Sequence, residues 1–270
     1  MAEIETPKKS PDTFVDARLL AKDFDGTVAL TFEKSPAGMD VHEAYNQAID
    51  EVFGPDAVDT YHAGGGLKNR APIEVVQSLV PDAPGADLNR LVAKLTDSKL
   101  AILMGEIGTR FDDGSVWPRP TNGYLELLEE LTGAKNNGVL IDSLILSSGH
   151  EPFIRNTYDA WGVDQPDYVV AQERLHHLGL ASFVKPSTKA MDAALLTWAE
   201  DYNTDTSSPG LRDRVVYVGD DDEKDGEMAR QSGIDFFLIS PESAGKVWPK
   251  VATRIGLTKA ASRGIQVNDK

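Results

Sequence analysis

The chain has 270 residues, 41% of them hydrophobic and 26% charged, a balance typical of folded proteins and too apolar for a disordered chain. It contains no cysteine, which excludes disulfides, thiolate metal sites and a cysteine nucleophile. With 27 Lys and Arg against 43 Asp and Glu, the formal net charge is −16, a field that repels nucleic acids and anionic membrane surfaces.

In chain order, residues 1–16 are polar, with Lys8, Lys9 and Pro11, and lack the apolar stretch of a secretory signal. They read as a short flexible lead-in, and a cytoplasmic protein is expected. No apolar run approaches the ~18 residues of a membrane span. Arg18–Phe24 (RLLAKDF) predicts a first strand running into the turn Asp25-Gly26-Thr27. From about Gly38 to Trp117 the pattern is helical, with helices predicted over Val41–Phe53, Ala71–Leu79 and Asp87–Leu103. Within this segment, His62–Pro72 (HAGGGLKNRAP) reads as a flexible polar loop that brings Lys68, Asn69 and Arg70 over a substrate. Gly123–Leu131 predicts a helix and Val139–Leu146 a buried strand. Asp167–Ala171 is a short strand, and Thr188–Asp201 is a helix with Ser187 or Thr188 available as its N-cap. Val215–Val218 and Asp235–Ile239 complete the strands.

Short apolar strands alternating with helices predict an α/β fold, a three-layer core around a central parallel sheet. The helical stretch is flanked by Ser35-Pro36-Ala37-Gly38 and Trp117-Pro118-Arg119-Pro120. It is therefore expected to be an all-helical cap domain, residues 36–117, inserted into a core domain of residues 1–35 and 118–270.

Four polar motifs fall at or just beyond strand ends, where open α/β sheets bind ligands. Asp23 and Asp25 are two residues apart in DFDGTV, so both carboxylates can face one side while Phe24 turns away. LILSSG ends in Ser147, Ser148 and Gly149; Val184-Lys185-Pro186 precedes a helix; and Gly219–Asp225 reads GDDDEKD. A carboxylate attacking phosphorus meets an anionic substrate, and two such charges ~4 Å apart repel by ~4 kcal/mol at an effective dielectric of ~20. A divalent cation on oxygen ligands removes that barrier. Asp23 and Asp220 are natural ligands for it. Lys185 adds positive charge, the Ser147 hydroxyl can bind a phosphate oxygen, and Asp25 is left for acid and base work. Together they make a phosphoryl-transfer site. His150 reads as a surface or capping residue.

In DFDGTV, LILSSG, VKP and GDDDEKD, taken in order, the sequence resembles the haloacid dehalogenase-like (HAD) superfamily. Asp23 and Ser147 are 124 residues apart, and Ser147 and Lys185 are 38 apart. That layout is similar to the phosphoglycolate phosphatase and β-phosphoglucomutase branch, which carries a helical cap between the first and second motifs. The resemblance implies that Asp23 is the nucleophile forming an aspartyl-phosphate and also a Mg²⁺ ligand. It implies that Asp25 is the acid and base and lends its backbone carbonyl to the metal. Ser147 and Lys185 would hold the phosphoryl group, with Ser148 and Gly149 beside it as substrate-binding positions. Asp220 would be a further ligand, supported by Asp225 or Asp221. Lys189, four residues past Lys185, is the alternative motif lysine.

The expected function is Mg²⁺-dependent hydrolysis of a small phosphate monoester, with no nucleic acid or membrane partner. A phosphomutase is the nearest alternative, and a non-catalytic binding protein on the same fold is a more distant one. Oligomeric state is left open.

Overall fold

The computed structural model describes residues 9–66, 72–180 and 185–257. Lys68, Asn69 and Arg70 lie outside the described residues. Five parallel strands, β1 (Arg18–Lys22), β2 (Ile141–Leu146), β3 (Tyr168–Val170), β4 (Val215–Gly219) and β5 (Asp235–Leu238), form one sheet in the order β3-β2-β1-β4-β5. The inner strands have the longest apolar runs. Every residue of β2 and β4 is buried, and in β1 only Arg18 is exposed. A strand covered on both faces needs side chains of this kind on both. The edge strands β3 and β5 are shorter and less buried.

All five predicted strands form, and four are shorter than predicted. β1 stops at Lys22 because the chain turns there. Val28 and Ala29 both donate their N–H to the Phe24 carbonyl, and Gly26 takes φ +76°, a conformation open to glycine at no steric cost. β2 begins late because Gly138 still turns the chain at φ +80° and Val139 is exposed.

Among the described residues the helices are α1 (Val41–Phe53), α2 (Pro55–Ala63), α3 (Pro72–Leu79), α4 (Gly85–Glu106), α5 (Tyr124–Asn136), α6 (Glu151–Trp161), α7 (Gln172–His177), α8 (Thr188–Asp201), α9 (Glu227–Gln231) and α10 (Ala244–Arg254). α1 matches its predicted span, capped by Asp40, whose Oδ1 accepts the Glu43 N–H at 2.8 Å. α8 matches too, with Ser187 as its cap. α4 and α5 run longer than predicted, and α2, α6, α7, α9 and α10 were not singled out by the sequence pattern.

Alternate strand residues divide between the two faces of the sheet. Leu19, Ala21, Leu144, Leu146, Val215 and Tyr217 share one core with Trp198 and the alanines of α8 and with Met228 of α9. Leu20, Lys22 and Ile145 fall on the other face. There Tyr124 of α5, with Lys22 Nζ 5.9 Å from its ring centre, packs on Trp248 of α10, ring centres 5.1 Å apart. The result is a three-layer α/β core. The chain builds from β1 through β2 to β3, then crosses back to β4 and β5 on the far side of β1. The strand order therefore switches between β1 and β4.

The chain divides into two units. One holds the sheet and runs to Ala29, then Pro120–Glu151, then from Val163 onward. The other takes Leu30–Arg119 and Pro152–Gly162. In this helical unit Tyr45, Ile49, Tyr61, Val75, Val76 and Leu95 form a core of their own. Pro152–Gly162 joins it because Phe153 packs on buried Trp117 and Trp161 Nε1 donates to the Pro118 carbonyl at 2.7 Å. No described helix is long and apolar enough to cross a membrane.

Candidate active site

The site is built where β1 and β4 end side by side. Lys22 pairs with Val218, and the Asp23 N–H donates to the Val218 carbonyl at 2.8 Å. One more residue along each chain, Asp23 leaves β1 and Asp220 leaves β4. Lys185 reaches this point and bridges two carboxylates, with Nζ 2.6 Å from Asp23 Oδ1 and 2.8 Å from Asp225 Oδ1. Of the two candidate lysines, Lys185 is the one the geometry brings here. Lys189 lies in the first turn of α8 and lines a groove with Leu178 and Asp192.

The three consecutive aspartates resolve in the same way. Asp221 turns its carboxylate back to cap the following turn, accepting the N–H groups of Glu223 and Lys224, each at 3.0 Å. Asp222–Gly226 is a π-turn. The Gly226 N–H reaches the Asp221 carbonyl, and the Glu227 N–H reaches Asp222. This wider turn carries one extra residue relative to an α-turn and delivers Asp225, 1% exposed, to the Lys185 ammonium. Gly219 makes room: a Cβ there would fall 2.5 Å from the Asp225 carboxylate. Asp23, Asp220 and Asp225 form the cluster, each offering an oxygen, all within 4.8 Å of one another.

The other predicted residues lie around this point. Ser147 is buried at the end of β2, and its Oγ accepts the Gly149 N–H at 2.9 Å. With that acceptor position used, the hydroxyl has its proton to give. A Cβ on Gly149 would lie 3.1 Å from Ser147 Oγ and 3.5 Å from Asp25 Oδ2, so the loop and the Asp25 carboxylate face each other across a gap that suits glycine. Ser148 is exposed beside them.

His150 is not a surface residue. It is 4% exposed, and its Nδ1 lies 2.9 Å from Glu173 Oε1. Glu173 also accepts the Glu151 N–H, and the Gln172 N–H donates to the Gly149 carbonyl. The start of α7 thus fastens the Ser147–Glu151 loop.

Two residues were missed from sequence. Thr27 Oγ1 makes a long contact to Asp220 Oδ1 at 3.4 Å. Tyr217 Oη donates to Asp225 Oδ1 at 2.8 Å. The signal for Tyr217 was its place in VVYVGD, where a polar-tipped ring sits in a buried strand two residues before the motif glycine.

The electrostatics follow from crowding three carboxylates around one ammonium. Burial pushes the Asp23 carboxyl well above the usual range; Asp225 and Asp220 push the same way, against Lys185. Asp220 is also raised, by burial first and Asp225 second. Burial works against the Lys185 ammonium, but Asp225 and Asp23 outweigh it and hold its pKa well above that of an ordinary lysine. Burial holds the Tyr217 phenol well above its usual value, so it remains a donor. The donors are all hard oxygens and negative charge is in surplus, which suits a small divalent cation. The 4.8 Å spread is a little more than the ~4.2 Å that separates opposite ligands of an octahedral ion with ~2.1 Å bonds.

No family model matches the chain, and no curated protein matches it in sequence. Solved structures do match. CbbY from Rhodobacter sphaeroides in complex with phosphate is 18% identical, with a TM-score of 0.50 over 83% of this chain and 86% of that one. A mutant of the same protein in complex with xylulose-(1,5)-bisphosphate is 16% identical, again with a TM-score of 0.50 and the same coverage. At these identities the likeness is one of fold alone: this chain shares its α/β fold with the CbbY structures.

Proposed function

We propose that the chain is a Mg²⁺-dependent phosphatase that hydrolyses a small phosphate monoester through an aspartyl-phosphate on Asp23. The observation that carries this reading is the Lys185 bridge between Asp23 and Asp225, with Asp220 alongside, at the strand switch point. A nucleophile, a countercharge and metal ligands are gathered where such sheets bind ligands.

In the first step an Asp23 oxygen attacks phosphorus. The bond from phosphorus to the leaving oxygen breaks, and Asp25 gives that oxygen its proton. In the second step Asp25 takes a proton from a water molecule, whose oxygen attacks the same phosphorus and returns Asp23 as a free carboxylate with inorganic phosphate. Lys185 and the Ser147 hydroxyl hold the non-bridging oxygens, whose charge is greatest during transfer. Asp23, Asp220, Asp225 and the Asp25 carbonyl would hold Mg²⁺, which neutralises charge between nucleophile and substrate. With the ion present, the carboxyls raised by burial and by one another are favoured in their ionised form. Ser148 and Gly149 lie where the substrate phosphate would rest. The helical segment between the first and second motifs would act as the cap, with Lys68, Asn69 and Arg70 reading the substrate. The bound phosphate and xylulose bisphosphate of the CbbY structures are in keeping with this substrate class.

The test is phosphate release from a panel of sugar phosphates, phosphoglycolate, nucleotides and a chromogenic ester, with Mg²⁺ and with chelator, beside Asp23→Asn. Mg²⁺-dependent release that falls at least ~10³-fold in the variant is expected. An isomerised phosphosugar without phosphate release would point to a mutase. Folded protein that releases nothing and isomerises nothing would point to a binding protein.

A further inference from the structure

Tyr217 belongs to the core through its ring and to the acidic cluster through its hydroxyl. The ring is fully buried and stacks near Phe236, with centres 6.2 Å apart. The hydroxyl donates to Asp225 Oδ1, the same oxygen that Lys185 Nζ approaches at 2.8 Å. The two donors on Oδ1 fix the rotation of the carboxylate about its Cβ–Cγ bond. Oδ2 lies against the Gly219 backbone, and among the described residues it has only a long 3.4 Å approach from the Asp221 N–H. Asp225 therefore presents one saturated oxygen and one lightly bonded oxygen.

We propose that Tyr217 is a positioning residue for the cation site: by holding Asp225 Oδ1 together with Lys185, it keeps the carboxylate turned so that it can serve the metal. This rests on the metal reading given above. Groups that orient a ligand carboxylate commonly contribute tenfold or more to metal affinity. The π-turn makes such an anchor necessary. A carboxylate brought in on a short, irregular turn has no regular helix to hold its direction, and the strand beneath it supplies that hold through Tyr217. Without the phenol, Lys185 alone must orient both Asp23 and Asp225.

The competing account is that a buried phenol needs a partner and finds one in Asp225 with no consequence for the metal. Calorimetric titration of the full-length, metal-free protein with Mg²⁺ separates the two, beside Tyr217→Phe and thermal melts without metal. Tyr217→Phe keeps the ring and its packing. The expected result is a melting temperature close to that of the unaltered protein, a Mg²⁺ dissociation constant raised about tenfold, and a deficit in turnover that shrinks as Mg²⁺ is raised. Unchanged Mg²⁺ affinity in the variant would overturn the proposal. If the variant does not fold, 3-fluorotyrosine placed at position 217 provides a second reading. Its fluorine resonance should shift on Mg²⁺ addition with the half-saturation seen by calorimetry, and a resonance that ignores Mg²⁺ would overturn the proposal. Failure of the unaltered protein to bind Mg²⁺ would overturn the metal reading, and this inference with it.

Discussion

Two lysine–carboxylate clusters occupy opposite ends of the same sheet. At the carboxyl ends of the strands Lys185 bridges Asp23 and Asp225. At the other end Lys9 lies 2.5 Å from Asp142, the second residue of β2, and 3.4 Å from Asp201. Both use tyrosines: Tyr217 in the first, Tyr168 and Tyr202 in the second. The difference lies in how the charges are met. Asp142 accepts from Lys9 on one oxygen and from Trp198 Nε1 and Tyr202 Oη on the other, at 2.8 and 2.7 Å. Asp201 accepts from Tyr168 Oη at 2.6 Å, and the Lys9 ammonium sits about 5 Å from both tyrosine ring centres. Asp142 thus has donors on both of its oxygens. In the first cluster a third carboxylate, Asp220, joins Asp23 and Asp225 around the one ammonium of Lys185, so negative charge is in surplus. Similar residues thus make a closed structural tie at one end and a site with unspent negative charge at the other.

The comparison breaks most visibly when a carboxylate is removed from each end. Asp142→Ala leaves the buried Trp198 and Tyr202 donors without their acceptor, and each buried donor so orphaned costs about 1–3 kcal/mol. Chemical denaturation should register that loss while the folded fraction keeps its Mg²⁺ affinity. Parallel loss of metal binding and stability would mean that the two ends are not independent.

A third lysine sharpens the contrast. Lys22 is buried and meets a hydroxyl, Ser143 Oγ at 2.6 Å, in place of a carboxylate. Burial pushes its pKa down from 10.5 to about 7, with Asp167 opposing. Between those values the unfolded chain binds the proton and the folded chain does not. Stability should therefore rise with pH from about 7 towards 10.5, by at most about 1.4 kcal/mol per pH unit. Below pH 7 the burial penalty is present in full. Denaturation midpoints across this range should show the rise in the unaltered protein and a flatter profile in Lys22→Met. The same slope in both would place its origin elsewhere.

The smallest effect has the opposite sign. Asp220→Asn relieves crowding among like charges, so the metal-free variant should be slightly more stable, by under about 1 kcal/mol because the partly desolvated Asp220 still meets water. Mg²⁺ binding should be lost. A variant that melts lower without metal would show that the cluster is as well supplied with donors as the Asp142 tie.

How much of this was legible depended on distance along the chain. The five strands, the α/β class and the Asp23-Phe24-Asp25-Gly26 turn are local patterns, and they stand where the pattern put them. In the sequence Lys185 is preferred to Lys189 only through the Lys-Pro resemblance, and the choice between Asp225 and Asp221 is open. Each depends on where the chain folds back, and for Asp225 on a turn bonded five residues ahead. Tyr217 was hidden because VVYV reads as core, which it is apart from one hydroxyl. The Lys9 tie joins residues 133 apart, and Pro152–Gly162 meets Leu30–Arg119 through Phe153 and Trp117. No short window of sequence contains such pairs. Lys22 shows the converse. A lysine inside an apolar strand is visible at once, but the neighbour that receives it is not.

The central claim is that the charge left over at the carboxyl ends serves phosphoryl transfer to Asp23. Acid-quenched peptide mass spectrometry after incubation with a turned-over phosphate ester and Mg²⁺ tests it most directly. The account predicts a phosphoryl group on the peptide carrying Asp23, accumulating in Asp25→Asn with a chromogenic ester whose leaving group needs no proton, and absent with chelator or in Asp23→Asn. Phosphate released by Asp23→Asn at the unaltered rate, or a phosphoryl group on another residue, would contradict it.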